Sequence, residues 1–210
     1  MDYGEGTDSE LIGLLNKHKE AGEYTEALEY AERLLMRDKR SADYWFIKGE
    51  LLYELANMDS GGGHVLEALR CLERSYALDK TKQDVLLVKG FCLMLDGKFQ
   101  DSVPVFEEAD SLDQKNPEPS FALSMACVFL NDETSATFHL NRAVKKDGER
   151  TLFFCQRFFD EVIASNSKIS QSLKMEIAEA MGEMRRTVRP AALQGKSPGF
   201  SEFPLSEGKN

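Results

Sequence analysis

Four cysteines, Cys71, Cys92, Cys127 and Cys155, and three histidines, His18, His64 and His139, are the residues best suited to nucleophilic or metal chemistry. Zinc sites and thiol catalysis need such side chains in close sets, two ligands a few residues apart or a thiol beside a base. Here no two cysteines form a C-x-x-C pair, and no histidine stands at ligand spacing from one. Each cysteine falls in an apolar helical stretch, so all four are expected to be reduced core residues that pack as small hydrophobes. The histidines are expected in surface or packing roles. The triple glycine 61–63 precedes a helix start, where backbone N–H groups can cradle an anion, but no Lys followed by Ser or Thr completes a phosphate loop. The segment reads instead as a flexible insertion. Lys145 with Lys146, and Arg185 with Arg186, fall at expected helix C-termini, where positive charge favours the dipole, and this disfavours a nucleic-acid patch. With no nucleophile–base pair, no metal set and no phosphate loop at usable spacing, neither a catalytic residue nor a cofactor is assigned, and the chain reads as a non-enzyme.

Bulk properties narrow the partners. The chain carries 36 acidic against 26 basic residues, a formal net charge of −10, which repels phosphate backbones and anionic lipid at long range. Nucleic acid and membrane are therefore excluded as expected partners, as is a small-molecule substrate. No apolar run is long enough to span a bilayer, and the acidic N-terminus lacks a basic-then-apolar signal pattern. A cytoplasmic location is expected on that ground.

The elements that position these residues emerge from internal periodicity. Small residues Ala27, Ala68, Ser102 and Ala136 are separated by 41, 34 and 34 residues, and Asp38, Asp79, Asp113 and Asp147 repeat with the same spacings. Leu15, Gly49, Gly90 and Ser124 follow at 34, 41 and 34, which places seven extra residues between Gly49 and Ala68, in the segment 57–64. Helical hydrophobic spacing within each period predicts helices over about 8–21, 24–38, 42–57, 64–78, 82–96, 99–112, 118–130 and 133–146. Gly22, Gly97 and Asn131 stand where helices must end in a left-handed residue. Pro104 is placed in a first helical turn, where it removes no hydrogen bond.

A unit of about 34 residues with small residues where two helices cross resembles the tetratricopeptide repeat. The match covers about 8–150. It is strongest in the second unit, Trp45-x-x-x-Gly49 followed after the insertion by Ala68 and Leu72, and the third unit adds Leu86-x-x-x-Gly90, then Gly97, Ser102, Phe106 and Ala109. The proline that often closes the unit is absent, with Lys39, Lys80, Gln114 and Gly148 in its place. The resemblance implies an all-α fold, a right-handed α-α superhelix of about four helical hairpins: 8–41, 42–82 with the insertion, 83–116 and 117–148. A short acidic lead, 1–7, precedes them. Residues 149–187 then form a C-terminal capping helix pair, with Phe153, Phe154, Phe158, Phe159 and Val162 in its first helix and Ile169, Leu173, Ile177, Met181 and Met184 in its second. From 188 to 210, Pro and Gly predict disorder, relieved only by the apolar Phe200, Phe203 and Leu205, for which a role as a ligand in cis is the less favoured alternative.

In tetratricopeptide arrays the first helix of each unit lines a concave surface, so the resemblance locates the binding residues. Those positions hold Ile12, Asn16, Phe46, Glu50, Tyr53, Leu87, Phe91, Met94, Phe121 and Met125. Arrays that clamp the acidic C-termini of heat-shock chaperones use lysines, asparagines and an arginine there. This chain keeps only Asn16, so a carboxylate clamp is not expected. The expected function is a protein-interaction scaffold or adaptor that holds a peptide segment of a partner in an apolar groove flanked by Asp43, Glu50, Asp84 and Glu118, apolar side chains giving area and carboxylates steering. Two alternatives stay open. In one the aromatics fill space between helices. In the other the chain is a structural subunit or assembly chaperone that self-associates through helical faces, as a homo-oligomer with the Phe-rich 153–159 as a contact.

Overall fold

The computed structural model describes residues 6–58, 63–163 and 169–187, and among them every regular element is helical. The chain divides between Asp96 and Gly97 into two compact units. The first holds α1 (Asp8–Glu20), α2 (Tyr24–Arg37), α3 (Ala42–Met58), α4 (Val65–Leu78) and α5 (Gln83–Leu95). The second holds α6 (Phe99–Leu112), α7 (Glu118–Phe129), α8 (Glu133–Lys146), α9 (Gly148–Phe158), a π-helical turn (Phe159–Ile163) and α10 (Gln171–Thr187).

Helix α1 starts because Thr7 and Glu10 cap each other: the Glu10 N–H donates to Thr7 Oγ1 and the Thr7 N–H to Glu10 Oε2, at 3.3 and 2.6 Å. The hydrogen bonds from Thr7 hold the Glu10 carboxyl below its ordinary value. Three connections turn sharply at left-handed residues, Gly22 at φ 75°, Gly97 at 72° and Asn131 at 54°, as their types predict.

In the first unit α1 pairs with α2 and α3 with α4, α2 packs on α3, and α5 packs on both α3 and α4. Leu11, Leu15, Ala27, Ala31, Leu34 and Leu51 form one buried cluster. Each large aliphatic side chain there contributes about 2 kcal/mol relative to exposure. The crossing of α3 and α4 depends on Gly49: a Cβ built there would meet Leu72 Cγ at 2.8 Å and the Ala68 carbonyl oxygen at 3.4 Å. Ala27, Ala68, Ser102 and Ala136 are all buried, and Ser124 donates to the Ala136 carbonyl at 2.9 Å, tying α7 to α8.

The recurrent aspartates close the hairpins. Asp38, Asp79, Asp113 and Asp147 each follow the last residue of a helix with extended backbone, φ between −134° and −157°. The first three accept from the N–H two residues on, Arg40, Thr81 and Lys115, at 2.8 to 2.9 Å; Asp147 accepts from the Arg150 N–H at 3.0 Å and so caps α9. This side-chain turn occupies the place where the repeat's closing proline is missing.

In the second unit α7 packs between α6 and α8, α9 lies on α7 and α8, and α10 on α8 and α9. Helix α10 is amphipathic as expected of a cap: Leu173, Ile177, Met181 and Met184 are buried, and Glu176, Glu179 and Glu183 are exposed. Two expectations need correction. The helix expected over 149–164 ends at Phe158 and continues as a π turn to Ile163. Pro104 lies in the second turn of α6, not the first, so the carbonyl of Gln100 loses its partner; both residues are exposed, and water can take the bond. The expected tail 188–210, with Phe200, Phe203 and Leu205, most of the insertion, and residues 1–5 lie outside the described residues.

Candidate functional site

The ten groove residues separate by burial. In the first unit Ile12, Phe46 and Glu50 are partly exposed and Asn16 is exposed, while Tyr53, Leu87, Phe91 and Met94 are buried. In the second unit Phe121 and Met125 are buried as well. Six of the ten therefore pack between helices, which is the space-filling alternative, and present no area to a ligand in this conformation. Their environment explains it. Tyr53 lies 6.4 Å, ring to ring, from Phe91, while Phe121 stacks on Phe154 at 5.6 Å and meets the edge of Phe158 at 6.0 Å. The Phe-rich 153–159 segment, considered above as an outward contact, places Phe154 and Phe158 inside. Helix α7 is buried on nearly every side and α5 over most of its circumference, with Asp84 exposed and Lys89 partly so, whereas α1 carries a single buried stripe.

What stays accessible in the first unit is a strip on α1 and α3. Ile12 packs its body on the core cluster. Asn16, one turn on, is exposed and carries an amide that can both donate and accept. Across from it Lys19 Nζ reaches Glu50 Oε2 at 2.5 Å, and this ion pair ties α1 to α3. The acidic flank is largely neutralised: Asp43 pairs with Lys82, Glu50 with Lys19 and Glu118 with Arg150, leaving Asp84 exposed. Long-range steering by these carboxylates is weaker than their number implies, because each pair presents a dipole and not a charge.

Two sets of side chains had no counterpart in the sequence reading. Lys48 reaches back from α3 to Glu32 on α2 and also to Glu67 on α4, both at 2.9 Å, and Lys89 reaches from α5 to Glu73 on α4 at 3.4 Å. Glu32 and Glu73, like Lys48 and Lys89, are separated by the same 41 residues as the small crossing residues, a charge repeat readable in the sequence. In the second unit the buried Asp110 accepts from Ser120 Oγ at 2.7 Å and pairs with Lys146 Nζ and Arg142 Nη2, each at 2.5 Å. Burial pushes this carboxyl up, but the Lys146 and Ser120 hydrogen bonds and the two cations outweigh it and leave it below its ordinary value. Lys146 also donates to the Asn116 carbonyl at 3.0 Å, so it is an internal ion-pair partner and not simply a helix-end charge.

The cysteines are all buried, and burial pushes the Cys71 and Cys127 thiols up to about 11 and those of Cys92 and Cys155 higher still. Such thiols stay protonated and are poor nucleophiles. Burial, followed by the charge of Arg142, holds His139 below the ordinary histidine value, and its Nδ1 has no hydrogen-bond partner. His18 stacks on Tyr30 at 5.5 Å and bonds Glu23 at 2.6 Å, a packing role. No helix among the described residues is long and apolar enough to cross a membrane.

No protein-family model matches the chain, and no curated protein matches it by sequence. Solved structures do. TTC0263, a thermophilic tetratricopeptide-repeat protein of Thermus thermophilus, superposes with a TM-score of 0.61 at 17% identity, over 83% of this chain and 81% of that one. MamA residues 41 to the end from Desulfovibrio magneticus RS-1 gives 0.64 at 16% identity, over 89% and 97%. YrrB, described as a tetratricopeptide-repeat protein with an unusual peptide-binding site, gives 0.56 at 18%, over 67% and 69%. At these identities the likeness establishes the fold: the chain is an all-α protein with the tetratricopeptide-repeat fold.

Proposed function

We propose that this chain is a non-enzymatic protein-interaction scaffold, an adaptor that holds a peptide segment of a protein partner against the first helices of its hairpins, in α1 and α3. The supporting observation is the accessible strip Ile12, Asn16, Phe46 and Glu50 on helices otherwise committed to stacking. Partly exposed apolar side chains beside an exposed amide suit an extended or amphipathic segment, apolar groups giving area and Asn16 giving register. The peptide-binding site named for YrrB, on the same fold, supports the class of ligand and not its place. Location in the cytoplasm and absence of a cofactor remain part of this proposal.

Phe46→Ala and Asn16→Ala test it, because neither residue is buried. Partners recovered by affinity capture with the wild-type chain are to be identified and their binding measured by calorimetry. Phe46→Ala is expected to weaken binding about tenfold and Asn16→Ala somewhat less, with unchanged helicity. Full affinity in both variants overturns the proposal.

A second reading, self-association as a structural subunit, is favoured by one observation: Phe138 and Met175 of the second unit, 61% and 65% exposed, lie on the packed helices α8 and α10, whose Thr137 and Glu176 are hydrogen-bonded at 3.1 Å. Light scattering separates the two, since a dimer that Phe138→Ser disperses would favour the subunit.

A further inference from the structure

Beyond the strip on α1 and α3, the first unit carries a second surface built around its one tryptophan. Trp45 is partly buried, and its Nε1–H donates to the Lys39 carbonyl at 3.0 Å, which fixes the indole across the connection between α2 and α3. Trp45 lines two cavities. One, of about 290 Å³, is lined by Leu35 and Met36 of α2 with Lys39; the other, of about 700 Å³, by Leu66, Arg70 and Arg74 of α4. Met36 is 58% and Leu66 59% exposed, so each cavity pairs the indole with an uncovered apolar side chain.

The charges around this groove do not cancel. Its two carboxylates, Glu32 and Glu67, are both spent on Lys48, which lines both cavities. Lys39, Arg70 and Arg74 are exposed and hold no ion pair among the described residues. A chain with a formal net charge of −10 thus keeps a cluster of unspent cations beside two well-exposed aliphatic side chains, Met36 and Leu66. Desolvated apolar area rimmed by guanidinium groups recognises the complement: apolar anchors beside carboxylates.

The spacing defines the ligand further. Leu66, Arg70 and Arg74 succeed one another at four-residue intervals and form one stripe along α4. Four helical residues advance about 6 Å, and two residues of an extended chain advance about 6.6 Å. We propose that the Trp45 groove is a second docking site, for an extended acidic protein segment. The segment seats an aromatic or aliphatic side chain between Trp45 and Leu66 and sets carboxylates two and four residues further on against Arg70 and Arg74. The site uses none of Ile12, Asn16, Phe46 or Glu50, so its failure leaves the reading above intact.

Trp45 also reports on the site, since no other indole contributes to fluorescence. The probe is the synthetic peptide acetyl-Ser-Phe-Thr-Glu-Thr-Glu-Ser-amide, titrated into the full chain with excitation selective for tryptophan. A saturable change in emission is expected, about tenfold weaker with Gln in place of both Glu, and absent with Lys in their place. Binding should fall as salt is raised from roughly 50 to 500 mM, because the contacts are surface charges. Arg70→Glu with Arg74→Glu should abolish the response at unchanged melting temperature. Equal binding of the Glu, Gln and Lys peptides, an undiminished response in the doubly reversed variant, or no response at millimolar peptide overturns the proposal. Should charge reversal disturb the fold, the comparison of the three peptides on the wild-type chain decides alone.

Discussion

Two phenylalanines at equivalent-looking positions on first helices have opposite fates. Phe121 is clasped by Phe154 and Phe158 and buried, so Phe121→Ala removes packing and should destabilise the chain by about 3 kcal/mol in urea unfolding. Phe46, only partly buried, should lose far less stability and show its effect in binding. The pair separates structural from contact roles in one experiment. The buried Asp110 makes a similar distinction among charges. Lys146→Ala leaves that carboxylate with Arg142 and Ser120 only, and a loss of about 2–3 kcal/mol is expected in denaturant unfolding. Two of the depressed values, both at partly or fully buried groups of the second unit, bear on the pH dependence. Asp110 sits below its ordinary 3.8 and His139 below 6.5, so the folded chain holds both groups deprotonated more firmly than the unfolded chain does. Protons bind preferentially to the unfolded state, and the stability from each group is present above its ordinary value and lost as pH falls below it. Melting temperature should therefore drop in two stages on acidification, the upper one flattened by His139→Gln and the lower one by Asp110→Asn.

At the scale of the element, the crossing of α3 and α4 tolerates no side chain at position 49. Gly49→Ala gains helix propensity of about 1 kcal/mol but forces a Cβ into Leu72, and the overpacking should prevail, for a net loss of about 1 kcal/mol or more. Leu72→Ala in the same chain should relieve part of that clash, so the double variant is expected to be less destabilised than the sum of the two singles, as thermal unfolding would show. Turns obey the same logic. Gly97→Val places a β-branched residue at φ 72° and should destabilise, whereas Asn131→Gly at φ 54° should be nearly neutral. The helices were legible because their hydrophobic spacing recurs over several turns, and the crossing residues and left-handed caps because each depends on the residue at a single position. The turns made by Asp38, Asp79 and Asp113 were visible only as a spacing; their chemistry, a carboxylate accepting a backbone N–H, needs coordinates to be seen. The bounds of α6 were read correctly, and Pro104 was misplaced within them: as the sixth residue after a start at Phe99 it lies past the first four N–H groups, which alone have no partner inside the helix.

For the whole molecule, repeat spacing determines the fold class, and the solved structures of the same fold agree with it at identities where sequence likeness has faded. The site was less legible. A period identifies which residues sit on first helices, but exposure depends on what covers those helices, and most of α5 and nearly all of α7 are buried. Burial of Tyr53, Leu87, Phe91, Met94, Phe121 and Met125 leaves the strip of Ile12, Asn16, Phe46 and Glu50 as the accessible remainder. The Lys48–Glu32 and Lys89–Glu73 ion pairs were recoverable from the same 41-residue register, because paired charges on facing helices must repeat together. The central claim is that a partner's segment lies on α1 and α3. Amide hydrogen exchange of the full chain, with and without a partner identified by capture and confirmed by calorimetry, tests it most directly. Slowed exchange is predicted in peptides covering 8–20 and 42–58 on binding, with the second unit unchanged; protection confined to the second unit, or none in those two helices, would contradict it.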